Sequence, residues 1–264
     1  MTNRYKAPLL SMFGDKTKLA RSIYDRAING NKSRQSVSDT EYHWKRLIQA
    51  YKEPVYAVNP NELVVDRSYH NFNHIINGLQ HICNLEEQRL QGGFPSEWNK
   101  ALGPDIDDLF LAWFYHDYHY KTGVDGLQNE KESAIQARND LEDLGVDNTR
   151  IVIIEDLIKL TDHQSNPEIN DSLGNLIVDI DLVGFSTKPQ SEFDETTKKV
   201  RHEFSMYSDE QWSDGRLKFL QRLMERKQGK ILRTPFFRKF NNDAVENVER
   251  EIAFYSNRIA ELYS

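Results

Sequence analysis

The sequence has little cysteine and no long apolar run, and each absence excludes a class of protein. Cys83 is the only cysteine among 264 residues, so no disulfide can form within the chain, and a reducing, cytoplasmic location is expected. Residues 1–13 mix polar and apolar side chains, which is not the pattern of a secretory signal peptide. No stretch approaches the roughly 20 apolar residues of a transmembrane helix, so no membrane association is expected.

Low hydrophobic content and an acidic balance describe the expected surface. Hydrophobic residues make up 38% of the chain and charged residues 28%, which is typical of helices with well-solvated outer faces. The formal net charge of −7 disfavours binding to duplex nucleic acid. It does not disfavour an anionic small substrate, because a bound divalent cation dominates the local field.

Apolar residues recur at helical spacing almost throughout the chain, and alternating strand patterns are nearly absent. We therefore predict an all-α fold with residues 1–264 in one domain, in which about 1–50 form an N-terminal helical appendage or packing layer. Ser208 with Gln211 indicates a capping box. The predicted helices cover about 15–28, 38–52, 68–91, 104 onward, 129–144, 149–160, 172–183, 192–207, 210–227 and 241–262.

The segment from Tyr69 to His74 reads Y-H-N-x-x-H and contains two histidines four residues apart. In a helix this spacing would place His70 and His74 on one face, which Gly78 and His81 continue. A glycine there would let another backbone or a ligand approach closely. Taken alone, the pair fits metal ligands and ordinary surface or core histidines about equally well.

The segment from Phe114 to Asp117 reads F-Y-H-D. His116 and Asp117 follow Trp113 by three and four residues, so they would extend an apolar helical stripe into the interior. A buried aspartate is costly unless it is paired or bound to a cation. The alternative is a helix end at which the pair meets solvent. Imidazole and carboxylate together suit a divalent ion such as Mn²⁺, Fe²⁺, Co²⁺ or Ni²⁺.

Two aspartates on a later helix compete to complete such a site. Periodicity places Asp181 on an apolar face with Ile177 and Gly184, and Asp179 in a more solvated direction near Asn175. We predict Asp181 as the buried ligand and Asp179 as an ordinary exposed acid.

These motifs give the chain a resemblance to the HD superfamily of metal-dependent phosphohydrolases, whose pattern is His, then His-Asp, then Asp on separate helices. The resemblance implies an HD-domain-like helical bundle that binds one or two divalent ions of Mn, Mg, Fe, Co or Ni. It implies metal ligands at His74, His116, Asp117 and Asp181. The first motif is also similar to one in cyclic nucleotide phosphodiesterases, which implies His70 as the general acid.

A bacterial and phage-type group of predicted HD phosphohydrolases is more similar still, over roughly residues 38–262. The similarity implies hydrolysis of a phosphoester or phosphoanhydride bond in a nucleotide or a related small phosphorylated molecule. Five motifs of the group have counterparts in this chain. R-x-Y-H-N-x-x-H corresponds to Arg67–His74, and F-H-D-x-x-Y begins at Tyr115–Asp117. N-E-x-x-S-A corresponds to Asn129, Glu130, Ser133 and Ala134, D-x-D-L to Asp179–Leu182, and G-R…T-P-x-F to Gly215–Arg216 with Thr234–Phe236.

Six further residues are candidates for a second metal or for phosphate. A histidine near a helix C-terminus, such as His163, also serves commonly as a partner of the helix dipole. Each of the three cations is more commonly a surface charge. The six are His119, Glu130 and His163, which carry ligand atoms, and Arg67, Lys121 and Arg216, which carry positive charge.

Two other functions fit the same residues. One is an HD-type di-iron oxygenase, in which His119, His163 and Glu130 would supply additional ligands. The other is a non-catalytic regulator that binds a nucleotide. An unused buried cluster of acids and histidines is costly, which disfavours the regulator.

Overall fold

Ten α-helices form nearly all the regular structure within the residues that the computed structural model describes, which are 16–29, 37–57, 65–92, 106–123, 127–164, 169 and 171–262. The all-α prediction is confirmed. None of the described helices is long and apolar enough to cross a membrane. The helices are α1 (Lys16–Asn29), α2 (Val37–Ala50), α3 (Phe72–Leu90), α4 (Ile106–Tyr115), α5 (Gln128–Asp143), α6 (Asn148–Lys159), α7 (Ser172–Leu182), α8 (Gln190–Glu203), α9 (Asp209–Lys227) and α10 (Asn241–Leu262).

Side-chain caps explain where several helices begin. Asn71, Asp147 and Asp171 each accept a hydrogen bond from a backbone N–H two or three residues later, at the starts of α3, α6 and α7. Such caps satisfy N–H groups that have no partner inside the helix. The predicted capping box of Ser208 and Gln211 is confirmed at the start of α9.

Two of the predicted motifs lie just outside their helices. The helix predicted from residue 68 begins only at Phe72, because Asn71 is its extended N-cap, so His70 does not share a helical face with His74. Helix α4 ends at Tyr115, so His116 and Asp117 occupy the turn that follows it. Residues 104–105, and residues 1–15 and 30–36 of the predicted N-terminal layer, lie outside the described residues.

The buried apolar side chains form one continuous cluster that includes residues from α1 to α10. Helix α4 lies at its centre, since every residue from Leu109 to Tyr115 is fully buried. Helix α1 packs against α4 through a buried face that includes Ile23 and Tyr24. Burying side chains of this size stabilises the fold by about 1.5–3 kcal/mol each. The turn that carries His116 and Asp117 therefore leaves the most fully buried of the described helices.

A short parallel pairing fixes the chain just beyond that turn. Strand β1 (Tyr56–Ala57) pairs with β2 (Lys121–Thr122), with Tyr56 opposite Lys121 and Ala57 opposite Thr122. No other named strand occurs in the described ranges.

Helix α7 contacts α3, α4 and α6, which brings its acidic residues towards the ends of those helices.

Candidate metal centre

Two histidines and two aspartates converge where α3, α4 and α7 meet. His74 Nε2 lies 3.3 Å from His116 Nε2 and 3.2 Å from Asp181 Oδ1. Asp117 Oδ2 lies 3.1 Å from His116 Nε2 and 3.7 Å from His74 Nε2. Neighbouring ligands of one ion at about 2.1 Å lie about 3.0–3.4 Å apart in octahedral or tetrahedral geometry. His74, His116 and Asp181, whose ligand atoms all lie within 4.8 Å of one another, can therefore hold a metal ion.

Asp117 contributes an unsatisfied oxygen to this centre. Its Oδ2 atom is buried and accepts no hydrogen bond of good geometry from the residues that the structure describes. Leaving a buried acceptor without a donor costs about 1–3 kcal/mol, and more for a charged group. A cation would remove this cost, and the donor set of two imidazoles and two carboxylates suits a divalent metal.

The ring of His116 is oriented by its contacts with Trp113. Its Nδ1 atom lies 2.9 Å from Trp113 O, and the two rings stack with centroids 4.1 Å apart. Donation of the Nδ1 proton to that carbonyl leaves the Nε2 lone pair facing the other candidate ligands. Trp113 in turn donates from Nε1 to Ile75 O at 2.8 Å.

Gly78 makes room for this arrangement. A Cβ atom at residue 78 would lie 2.0 Å from the indole ring of Trp113. The close approach predicted at this glycine is therefore made by a buried side chain, not by a second backbone or a ligand. That side chain is the one that orients His116.

Three side-chain hydrogen bonds hold the backbone of the turn after α4. The last carbonyls of a helix have no partner inside it. Tyr51 Oη donates to Phe114 O at 2.8 Å. Arg67 donates from Nη1 to Asp117 O at 2.8 Å and from Nη2 to Tyr118 O at 3.0 Å. Arg67, a sequence candidate for phosphate binding, thus directs its guanidinium at the backbone beside the metal centre.

The two carboxylate oxygens of Asp181 have different neighbours. Oδ1 faces His74, and Oδ2 lies 2.8 Å from His163 Nε2. Burial raises the pKa of Asp181, but hydrogen bonds from His163 and His74 outweigh it and hold the pKa well below its usual range. His163 therefore orients a candidate ligand and lies in the outer layer of the centre.

Asp179 is more buried than Asp181, so the prediction of an ordinary exposed acid is wrong. Asp179 is 1% exposed, whereas the side chain of Asp181 is 15% exposed. The carboxylate of Asp179 accepts hydrogen bonds from the N–H of Arg233 at 3.0 Å, and from the N–H and Oγ1 of Thr234 at 2.7 Å each. These donors replace water, which makes the burial tolerable. Asp179 thereby ties α7 to the segment that precedes α10.

Glu203, for which the sequence predicted no role, holds His70 in place. Its Oε2 atom lies 2.6 Å from His70 Nδ1, and its Oε1 atom accepts the backbone N–H groups of Tyr69 at 2.7 Å and His70 at 2.9 Å. Burial lowers the pKa of His70, but the charge and hydrogen bond of Glu203 outweigh it, so the pKa lies above its ordinary value. The proton on Nδ1 is shared with Glu203, which leaves Nε2–H for another acceptor.

A sequence signal for Glu203 exists in α8. Phe193 and Val200 lie on the inward face of that mostly polar helix, and Glu203 follows Val200 by one turn. Glu203 is fully buried. An acidic residue on the apolar stripe of a polar helix indicates a buried partner.

The remaining candidates fall into two groups. His119 and Lys121 lie apart from the centre: the backbone N–H of His119 donates to Ser133 Oγ at 3.0 Å, and Lys121 Nζ pairs with Glu132 Oε2 at 3.1 Å. Burial lowers the pKa of His119.

Glu130 and Arg216 lie beside a cavity that reaches the centre. Burial, with the nearby charges of Asp162 and Asp117, raises the pKa of Glu130 to about 7. Arg216 forms a two-pronged ion pair with Glu251, at 3.0 and 2.9 Å.

Two cavities meet at the metal centre. We call the first, of about 450 Å³, the aromatic cavity; it extends from His70 and Asp117 towards α8 and α9. We call the second, of about 510 Å³, the polar cavity; it extends from His74 along α3. Asp181 lines both. The aromatic wall of the first consists of Phe185, Phe193, Phe204, Tyr207, Trp212 and Phe219.

Neither a scan against known protein-family models nor a search of the curated proteins finds a match to this chain. The function of the centre is therefore inferred from its own residues and geometry.

Proposed function

We propose that the protein is a metal-dependent phosphohydrolase that cleaves a phosphoester or phosphoanhydride bond in a nucleotide or a related small phosphorylated molecule. One observation carries the proposal: the four converging side chains of His74, His116, Asp117 and Asp181 lie beside a buried histidine–glutamate pair. The first group supplies a metal site, and the pair supplies a proton donor. Phosphoryl transfer to water is accelerated by electrostatic stabilisation and, where the leaving group is poor, by protonation of that group.

His74, His116, Asp117 and Asp181 would hold the ion. When bound, a divalent ion supplies a positive charge that lowers the pKa of water and polarises a phosphoryl oxygen. Imidazole nitrogens favour Mn²⁺, Fe²⁺, Co²⁺ or Ni²⁺ over Mg²⁺. The charge of such an ion balances the two carboxylates, so the centre no longer repels an anionic substrate.

His70 acts as the proton donor. It lines the aromatic cavity, and its side chain is 20% exposed. Because Nδ1–H donates to Glu203, the proton on Nε2 is available to a leaving oxygen. The raised pKa of His70 keeps the ring protonated nearer to neutral pH. Glu203 also holds the backbone of His70 and Tyr69, so it fixes the direction of donation.

The proposal is tested by reconstitution. Protein stripped with a chelator is reloaded with Mn²⁺, Mg²⁺, Fe²⁺, Co²⁺ or Ni²⁺ and assayed against a panel of nucleotides and phosphoesters. We expect hydrolysis that requires the ion and is lost in Asp181→Ala. Asp156→Ala, which removes an exposed aspartate from α6, is the matched control and should retain activity.

Three results would contradict the proposal. The first is hydrolysis that is equally fast in stripped protein. The second is binding of nucleotides without turnover under any ion, which would support a regulator. The third is a centre that binds two redox-active irons and consumes O₂ with an organic substrate, which would support an oxygenase.

A further inference from the structure

The two cavities beside the candidate metal centre are lined by different side chains. Asn73 and Asn77, one helical turn apart on α3, line the polar cavity and are exposed to solvent. Lys199 of α8 lines the same cavity and is also exposed. Two amides and an ammonium group can exchange their hydrogen bonds with water for bonds to a ligand with several hydroxyl or other polar oxygens.

Towards α8 and α9 the wall of the aromatic cavity is made of rings, whereas its acidic residues include Asp117 and Asp181 of the candidate centre and Glu130. The guanidinium of Arg216 packs over Trp212 and Phe219, with distances of 5.9 and 5.5 Å to the ring centroids. Its charge is already balanced by Glu251. This wall suits a flat apolar or aromatic group, which can stack on the rings.

The metal centre lies between the two cavities. His74 lines only the polar cavity, His70 and Asp117 line only the aromatic cavity, and Asp181 lines both. The ring of Tyr69 also borders both, with its hydroxyl against Gly184: a Cβ atom at residue 184 would lie 3.0 Å from Tyr69 Oη. A phosphoryl group at the centre can therefore carry one substituent into each cavity.

We infer that the substrate carries two groups on its reacting phosphorus, an aromatic group in the aromatic cavity and a hydroxylated group in the polar cavity. This inference rests on the proposed phosphohydrolase function and narrows it to a phosphodiester or a comparable two-sided compound. A terminal phosphate would place a substituent in only one cavity and would make no use of the amides of Asn73 and Asn77 in the other.

The position of His70 selects the bond that breaks. His70 faces the aromatic cavity, so its proton goes to the oxygen that joins phosphorus to the aromatic group. Water adds its hydroxyl to phosphorus, and the proton released from that water restores the imidazolium. The products are the free aromatic alcohol and a phosphate that retains the hydroxylated group.

Three 4-nitrophenyl esters test the inference, because all release the same chromophore. They are the monoester 4-nitrophenyl phosphate, the propyl diester and the glyceryl diester. The last two differ only in two hydroxyl groups. We expect kcat/KM to be highest for the glyceryl diester, about tenfold above the propyl diester, as two added hydrogen bonds to neutral groups would give. The products should be 4-nitrophenol and glycerol phosphate.

Variants locate the effect in the polar cavity. Asn77→Ala should lower the glyceryl-to-propyl ratio of kcat/KM towards one. Asn139→Ala, which removes an exposed asparagine from α5 outside both cavities, should leave the ratio as in the wild type. Equilibrium binding gives a readout without turnover: glycerol phosphate should bind more tightly than propyl phosphate to the wild type, and this preference should shrink in Asn77→Ala.

The outcomes separate the inference from the function on which it rests. Hydrolysis of the monoester faster than both diesters would overturn the inference and leave the phosphohydrolase function standing. A glyceryl-to-propyl ratio of one in the wild type would do the same. Release of glycerol with 4-nitrophenyl phosphate would overturn the assignment of the cleaved bond. If no ester is hydrolysed with any ion, the phosphohydrolase function itself fails.

Discussion

His70 Nδ1 lies 2.6 Å from Glu203 Oε2, although 133 positions separate the two residues in the sequence. The contact joins the loop before α3 to the end of α8. The group proposed to donate the proton is therefore oriented by the C-terminal part of the chain, whereas the candidate ligand four residues later belongs to α3.

Replacing His70 or His74 should have different effects. His74→Ala removes a ligand, so metal affinity and rate should fall together. His70→Ala should retain the metal and slow the chemical step by about 10²–10⁴-fold, the usual size of a general-acid contribution. The loss should shrink for 4-nitrophenyl esters, whose leaving group needs no proton. Metal content and rates for good and poor leaving groups are the measurements.

Two results would contradict the roles assigned to His70 and His74. If His70→Ala emptied the metal site, His70 would be a ligand, and His163 would be the next candidate for the donor. Equal losses for good and poor leaving groups would indicate that His70 only positions the substrate.

Glu203→Gln should move the basic limb of the pH–rate profile. The donor is active when protonated, so the rate on poor leaving groups falls as pH rises through the pKa of His70. Glu203 raises that pKa, so removing its charge should shift the limb to lower pH. The profile for 4-nitrophenyl esters should not shift. An unchanged limb on poor leaving groups would show that Glu203 does not set the pKa of the donor.

The two acids of α7 should separate stability from metal binding. Asp181→Ala should abolish most metal binding with a small effect on the free energy of unfolding of the metal-free protein. Asp179→Ala leaves the backbone N–H groups of Arg233 and Thr234 and a hydroxyl without their acceptor, and should destabilise the fold by about 2–4 kcal/mol. Denaturant unfolding and metal analysis on both variants give the comparison. Asp179→Ala with unchanged stability would refute the anchoring role.

Gly78→Ala should be far more damaging than Gly215→Ala. A methyl group at residue 78 overlaps the indole of Trp113, and the displacement should cost about 1–3 kcal/mol or more. At residue 215, inside α9, a Cβ atom meets nothing within 4 Å, so alanine should stabilise by up to about 1 kcal/mol. Thermal unfolding measures both. Equal effects would mean that the glycine at residue 78 is not required by packing.

Local signals account for what the sequence predicted well. The helices follow from apolar spacing and caps. His74 lies in the first turn of α3, Asp181 near the end of α7 and His116 directly after α4, and these three helix ends meet. His70 was misplaced because Asn71 acts as an N-cap, a local signal that competes with the four-residue spacing of the histidines.

Partners distant in sequence account for what it missed. The donors to Asp179 come from residues 54 and 55 positions away, so periodicity alone made Asp179 look solvated. From the sequence, Arg67 was a phosphate candidate or, more commonly, a surface charge, because nothing nearby in the sequence shows that its guanidinium binds carbonyls 50 and 51 positions later. A buried charge can be predicted from sequence only when its partner can be predicted as well.

The contacts of Asp179 and Asp181 make α7 intolerant of changes in its length. Each residue turns an α-helix by about 100°, so two acids two positions apart point to nearly opposite sides. Inserting a single residue between Asp171 and Asp179 would rotate both by about 100°. The candidate metal centre would lose the carboxylate of Asp181, and Thr234 would lose its acceptor, through one insertion. Insertions and deletions should therefore be excluded from this helix, while surface substitutions along it are tolerated.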